Sequence, residues 1–232
     1  MELQRLYSLV RQACQEYNMI SAGDKIAVGI SGGKDSLSLL YALSGLRRFY
    51  PESFELEAIT VDLGYEGFDL SRIERLCGEL EVPYHIVKTQ ISEMTKEAGC
   101  SLCAKLRKGA LLDKAALLGC NKIAYAHNLD DMVETMMLSL IHEGRFSTFW
   151  PVTYFEDTKI AVIRPFMFVT QANAIGFANK YKLPVTANPC PFDCNSERAY
   201  VRELLASMNQ HAPGVNRRMM TAIINGDIFP ES

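Results

Sequence analysis

Long apolar runs are missing from this 232-residue chain: none approaches the roughly 18 residues that suggest a spanning helix. Met1 to Ile20 is broken up by Glu2, Arg5, Arg11 and Glu16, which departs from an export-signal pattern. The expected location is the cytoplasm, with no membrane partner. A strong excess of positive charge is missing too: the net charge is -3, so the overall balance gives no hint of nucleic acid. The charges are unevenly spread, however. Residues 55–81 hold eight acidic and two basic side chains, and residues 96–122 hold six basic and two acidic. A local basic face could bind phosphates, and a solvated helix face reads the same way from charge alone. Internal repeats and low-complexity segments are also absent. Cysteine is not scarce. Seven of them without an export signal argue against a disulfide framework and for metal or redox chemistry at some.

Neither the Walker loop G-x-x-x-x-G-K-[ST] nor the dinucleotide loop G-x-G-x-x-G is present. In their place Lys25 to Ser36 reads Lys-Ile-Ala-Val-Gly-Ile-Ser-Gly-Gly-Lys-Asp-Ser. Ile26, Val28 and Ile30 suit a strand buried on both faces, and Leu37 to Leu46 reads as a helix. Gly32 and Gly33 at the joint permit a tight turn that turns backbone N–H groups and the positive helix end toward an anion. Lys34 adds a mobile charge, and Ser31 and Ser36 add hydroxyls. Ser-Gly-Gly-Lys-Asp-Ser between strand and helix therefore reads as a nucleotide-phosphate site.

The remaining chain reads as one α/β domain with appended helices, its 48% hydrophobic content being enough for a full core. An amphipathic N-terminal helix covers Leu3 to Tyr17, with Cys14 on its apolar stripe as a core residue. Residues 1–24 form that helix and a connector, 25–186 the nucleotide-binding domain, and 187–232 a cysteine-containing loop and short helical extension. A second strand, Leu56 to Val61, ends at Asp62, a candidate nucleoside contact or a plain strand-ending residue. The helix Leu70 to Leu80 buries Cys77, and Val82 to Val87 is the third strand. Cys100-Ser101-Leu102-Cys103 leads into a helix through Leu118, with Lys105, Arg107 and Lys108 near its start. This C-x-x-C pair is open to redox chemistry, half a zinc site or half an iron-sulfur site. Lys122 to Ala126 is the fourth strand, followed by His127-Asn128-Leu129-Asp130-Asp131. Those carboxylates suit Mg2+ at a nucleotide, or serve only as helix N-terminal residues. Gly144 to Tyr154 reads as a loop holding the only tryptophan, Trp150. Ile160 to Ile163 is a strand ending at Arg164, which either reaches a phosphate or forms a structural ion pair. Thr170 to Tyr181 is a helix. Cys190 and Cys194 share a loop stiffened by two prolines, and helical segments with Arg198, Arg202, Arg217 and Arg218 follow.

Taken together, Tyr17-Asn18-Met19-Ile20, Ser-Gly-Gly-Lys-Asp-Ser at 31–36, Cys100-x-x-Cys103, Leu106-Arg107-Lys108-Gly109-Ala110, His127-x-x-Asp130-Asp131-x-x-Glu134-Thr135, Ile163-Arg164-Pro165 and a late cysteine with Arg198 eight residues on resemble the tRNA 2-thiocytidine synthetase family (TtcA type) of the PP-loop ATP-pyrophosphatase superfamily. The resemblance implies an adenine nucleotide α-hydrolase fold, a Rossmann-like doubly wound parallel sheet. It also implies ATP, Mg2+ and a 4Fe-4S cluster bound by Cys100, Cys103 and Cys190, with one iron left for sulfide. Cys194 is then an extra ligand, a persulfide carrier or a bystander. The implied reaction adenylates C2 of a tRNA cytidine, at anticodon-loop position 32, and replaces its oxygen by sulfur from a donor such as a cysteine desulfurase. Lys34, Asp35, Asp130 and Cys190 are the implied catalytic residues. Ser31, Gly32, Gly33, Lys34, Asp35, Ser36, Asp62, His127 and Arg164 would meet the nucleotide, and Asp130 and Asp131 the magnesium. Lys105, Arg107, Lys108, Arg198 and Arg202 would meet RNA, and a homodimer is left open. Rival readings are another nucleotide thiolase, a lysidine-type ligase with a structural zinc site, or a sensor that binds nucleotide and cluster without turnover.

Overall fold

At the centre of the molecule lies β1 (Asp24–Gly29), whose neighbours are β2 (Phe54–Asp62) on one side and β4 (Lys122–Ala124) on the other. The computed structural model describes residues 1–65, 67–95, 99–186, 190 and 197–226. With β3 (Tyr84–Lys88), β5 (Val152–Phe155) and β6 (Ile160–Ile163) the strands form one sheet in the order β3-β2-β1-β4-β6-β5. All neighbours run parallel except β5, which pairs antiparallel with β6 at the edge. This is the expected α/β fold. Strand order reverses between β1 and β4, so loops at the carboxyl ends of these strands flank a crevice.

Alternation along the strands divides the core in two. Ile26, Val28, Leu56, Ala58, Ala124 and Ile163 face one layer, which holds α1 (Leu3–Glu16), α2 (Lys34–Leu46), α3 (Ser71–Glu79), α6 (Leu129–Glu143) and α7 (Gln171–Lys180). Ala27, Ile59, Ile123 and Val162 face the other, where Leu111 and Ala115 of α5 (Gly99–Leu117) cover them. Period-two strands buried on both faces are what parallel sheets require. Near the carboxyl terminus, α8 (Glu197–His211) and α9 (Val215–Asn225) add Val201, Leu205, Met220 and Ile223 to the larger core. The three expected segments therefore share one interior.

The seam between β1 and β4 is fastened at its foot by polar groups. Lys122 Nζ pairs with Asp24 Oδ2 at 2.6 Å, and Asn121 Nδ2 donates to Asp24 Oδ1 at 2.7 Å. Lys25 N donates to Asn121 Oδ1 at 2.9 Å. Asp24 is only 4% exposed, so both its oxygens need such partners.

Local departures from the expectations have physical causes. The segment read as a loop, Gly144 to Tyr154, contains the start of β5, a short half-exposed edge strand directly after Pro151, too brief for a clear alternation. The fourth strand stops at Ala124, before Tyr125 and Ala126. One short helix, α4 (Ile91–Met94), follows β3 with no sequence signal. Finally, Cys100 and Cys103 lie within α5 rather than ahead of it.

Candidate active site

The Ser-Gly-Gly turn is built by its own side chains. Gly33 N donates to Ser31 Oγ at 3.3 Å, Ser31 N to Ser36 Oγ at 3.2 Å, and Ser36 Oγ to Gly33 O at 3.0 Å. Gly32 has φ +83°, a left-handed conformation that favours glycine, and Thr186 packs beside it. Gly33 is the N-cap of α2 and supplies no side-chain cap. The first-turn amides of a buried helix therefore face the crevice, where an anion can take them up. Lys34 starts this helix, and its Nζ lies 2.7 Å from Asp35 Oδ2.

Across the seam, the end of β4 supplies the second wall. Asn128 is the N-cap of α6 in a reciprocal capping box: Asp131 N donates to Asn128 Oδ1 at 3.1 Å and Asn128 N to Asp131 Oδ2 at 2.9 Å. Asn128 Nδ2 also reaches Asp35 Oδ1 at 3.5 Å, linking the two walls. Burial pushes the Asp131 carboxyl up to about 6, with Glu134 and Asp35 adding repulsion against the opposing Asn128 hydrogen bond. A desolvated carboxylate beside another is a reasonable cation seat. Asp130 is engaged by two other elements. Its Oδ2 accepts from Gln171 N at 2.6 Å and its Oδ1 from Asn216 Nδ2 at 2.7 Å, tying α6 to α7 and α9.

His127 and Arg164 meet at the ends of β4 and β6. Arg164 Nε donates to His127 Nδ1 at 3.2 Å, and Nη1 donates to Trp150 O and to Thr153 Oγ1. Instead of an ion pair, this guanidinium has neutral partners among the described residues. Burial, with Arg164 and Arg198 nearby, drives His127 down to about 3, which keeps its imidazole neutral as an acceptor. The ring stacks on Phe149 at 4.2 Å and 11°. Arg198 and Arg202 converge on buried Glu134: Arg202 Nε lies 2.9 Å from Oε1 and Arg198 Nη1 3.6 Å from Oε2. These two arginines dock α8 on α6, a role that leaves them partly exposed.

Burial sorts the cysteines. Cys14, Cys77 and Cys120 are at most 5% exposed. Burial raises their thiols to about 12, about 12 and about 11, so they are inert packing groups. Cys100 is exposed, and Cys103 and Cys190 are partly so. Tyr65 OH donates to Cys190 Sγ at 3.7 Å, and Arg107 Nη2 to Cys103 Sγ at 3.8 Å. Thr186 N donates to Gly32 O at 3.0 Å, which ties the chain after α7 to the glycine turn. Among the described residues no three ligating side chains stand together at metal-binding distances. The donor chemistry nonetheless fits an iron-sulfur group: accessible thiols in the first turns of α5, with a guanidinium beside one. Cys194 lies outside the described residues.

Asp62, half-buried at the end of β2, accepts from Gly64 N at 3.0 Å and so shapes the following turn. Lys105 and Lys108 are exposed on α5, Lys108 Nζ standing 3.9 Å from the centre of the Phe155 ring. Tyr65, Asn128, Phe149 and Thr186 were not singled out by sequence. Only Asn128 carried a readable signal, the N-x-x-D capping pattern.

One consequence can be measured. The native Asp131 carboxyl keeps its proton to about 6 against 3.8 ordinarily, so folding loses stability as pH rises through that interval, and the loss is complete at neutral pH. Asp131→Asn is expected to raise stability by roughly 1–3 kcal/mol near neutral pH and by much less at about pH 4.5. Urea unfolding at both pH values checks this, and an equal change at the two would refute it.

Comparison with known proteins places these features in context. The PP-loop domain family matches residues 5–208. A tRNA-cytidine(32) 2-sulfurtransferase from Geobacter sulfurreducens is 35% identical over 229 residues, covering 95% of this chain and 89% of that protein. The corresponding protein from Geobacter metallireducens is 36% identical over 224 residues, covering 93% and 87%. Among solved structures, the U34-tRNA thiolase NcsA from Methanococcus maripaludis, with its [4Fe-4S] cluster, superimposes with a TM-score of 0.78 at 26% identity, covering 96% of this chain and 76% of that one. An NH3-dependent NAD synthetase from Campylobacter jejuni shares the fold, with a TM-score of 0.53 at 15% identity.

Proposed function

The chain belongs to the PP-loop family that includes the tRNA-cytidine(32) 2-sulfurtransferases, and on that premise we propose that it is an ATP-dependent tRNA thiolation enzyme acting on cytidine 32. The observation that carries this reading is the shared location of two chemistries. Thr186, four residues before Cys190 in the chain, donates from its backbone N–H to Gly32 O in the turn that suits a pyrophosphate.

ATP would lie with its phosphates on the Ser31–Ser36 turn, the first-turn amides of α2 and the Lys34 ammonium taking up negative charge as pyrophosphate separates. The C2 oxygen of the cytidine attacks the α-phosphorus, and the bond to the bridging oxygen breaks. Sulfide then takes the place of that oxygen at C2 and AMP leaves, with no net oxidation of the base. Asp35 and Asp131 would hold Mg2+, which supplies charge neutralisation at the phosphates. Cys100, Cys103 and Cys190 would hold a 4Fe-4S cluster, which supplies an iron free of protein ligands for sulfide. A fourth thiolate from Cys194 would close that iron, so Cys194 is assigned no ligand role. Neutral His127, stacked on Phe149 and held by Arg164, forms a flat apolar and polar wall suited to a purine or pyrimidine ring. The RNA itself would arrive over Lys105 and Lys108, with the exposed parts of Arg198 and Arg202 at the far side. An unpaired loop base is accessible at C2, as the chemistry demands. We further place the protein in the cytoplasm, supplied by a donor such as a cysteine desulfurase, with a homodimer as the assembly that sedimentation would test.

The test is direct. Anaerobic protein given ATP, sulfide and a tRNA transcript with cytidine at position 32 is expected to form 2-thiocytidine and one pyrophosphate per thiolation. A transcript with uridine at that position is expected to gain no sulfur. Pyrophosphate release without a thiolated base would direct the reading to another PP-loop transferase.

A further inference from the structure

Three features of the thiol site have no part in that reaction: the Tyr65 hydroxyl, the Arg107 guanidinium and the glycine turn that carries the tyrosine. Gly64 has φ +86°, and a Cβ there would lie 2.8 Å from Thr89 O, so this backbone packs directly against the residue after β3. Asp62 Oδ1 fixes the same turn through Gly64 N at 3.0 Å. A side chain immediately after Gly64 is consequently aimed by backbone packing rather than left to a free loop. That side chain is Tyr65, and its OH reaches Cys190 Sγ at 3.7 Å. Arg107, one helical turn after Cys103, places Nη2 3.8 Å from Cys103 Sγ.

We propose that Tyr65 and Arg107 are a pair of positioning residues that orient the Cys190 and Cys103 sulfurs toward a common soft-metal or iron-sulfur ligand. This deepens the thiolation reading, and its cluster form rests on that reading. Hydrogen bonds from neighbours fix the direction of a ligating group and stabilise charge on thiolate sulfur, and donors to sulfur raise the potential of a bound cluster. The two sulfurs belong to different elements, Cys103 to α5 and Cys190 to the chain beyond α7, and Tyr65 lies within electrostatic reach of both and of Arg107. One donor at each sulfur would fix its direction as a metal draws the thiols together. Asp62 thereby gains a concrete role as the brace of the turn that aims Tyr65.

Tyr65→Phe deletes one oxygen and keeps the ring, and Arg107→Met deletes the donor and keeps much of the stem. The first readout uses Cd2+ alone, titrated into metal-free, reduced protein and followed by the ultraviolet thiolate-to-metal absorption. Either variant is expected to bind Cd2+ about 10-fold more weakly. The second readout is cluster loss to a chelator in reconstituted protein, expected to be about 10-fold faster in either variant, with a lower cluster potential in Tyr65→Phe. ATP binding reports whether the fold is intact and is expected to be unchanged. Equal Cd2+ affinity and equal cluster retention in wild type and Tyr65→Phe would overturn the proposal. A wild-type protein that accepts no cluster would overturn the cluster chemistry proposed above, while the Cd2+ comparison would still decide whether the donor pair orients the thiols.

Discussion

Lys34→Ala lowers ATP-dependent pyrophosphate release by about 10²–10³-fold, equivalent to about 3–4 kcal/mol of transition-state stabilisation. The side chain begins α2 and extends to Asp35, 2.7 Å away. In the proposed reaction, charge accumulates on the departing pyrophosphate. Backbone amides of the glycine turn carry only partial charges, whereas the ammonium carries a full one, so its loss is felt mainly as the α-phosphorus bond breaks. Alanine is a strong helix former, and the substitution leaves the turn's serine hydrogen bonds untouched. Iron content and unfolding midpoint should therefore match the wild type. Pyrophosphate exchange, together with iron analysis on the same preparation, is the measurement. Activity within about threefold of wild type would remove Lys34 from the transition state.

Cys103→Ala has the complementary effect: iron and labile sulfide are lost, thiolation falls by at least about 10²-fold, and ATP binding persists. Cys103 is partly exposed in α5 and accepts a hydrogen bond from Arg107. A helix tolerates alanine there, so loss of fold is not the expected route to inactivity. Cys120→Ala is the matched control, because that thiol is 5% exposed and packs with Leu111 and Ile123 beneath the sheet. It should retain iron and give up only some packing energy, of order 1 kcal/mol. If Cys103→Ala keeps its iron and sulfide, or if Cys120→Ala loses them, burial has been the wrong criterion for choosing ligands.

Most of the fold was legible because its signals are local. The Ile26–Val28–Ile30 alternation and the glycine pair predict a buried strand and a turn, and β1, the Gly32 turn and α2 stand where that pattern puts them. The edge strand β5 was not legible, since four half-exposed residues after a proline carry little period. The acidic pair shows a second kind of limit. Asp130 and Asp131 are consecutive, yet helix geometry turns neighbouring side chains about 100° apart. One therefore caps α6 beside Asp35, and the other binds α7 and α9. The Asn128-x-x-Asp131 spacing marks the capping member, but no local pattern shows that Asp130 reaches α7 and α9. Tyr65 is harder still, because it is 125 residues from Cys190 and neither local pattern refers to the other. Arg164 was placed correctly at a strand end, but its neutral partner His127 depends on β4 and β6 lying side by side.

The seam between β1 and β4 also bears on how this protein comes into existence. Asp24 meets Asn121 across 97 positions and Lys122 across one more, so the seam closes only after a long segment has been made and ordered. Contacts of such high sequence separation form slowly, because loop-closure entropy is lost before they contribute stability. The first two strands and their helix can assemble locally, but the nucleotide crevice does not exist until α6 has joined them. A nascent chain released early would carry the glycine turn without its second wall. ATP, bound only when both walls are present, would then act as a folding ligand, drawing the late-closing half of the molecule into place by mass action.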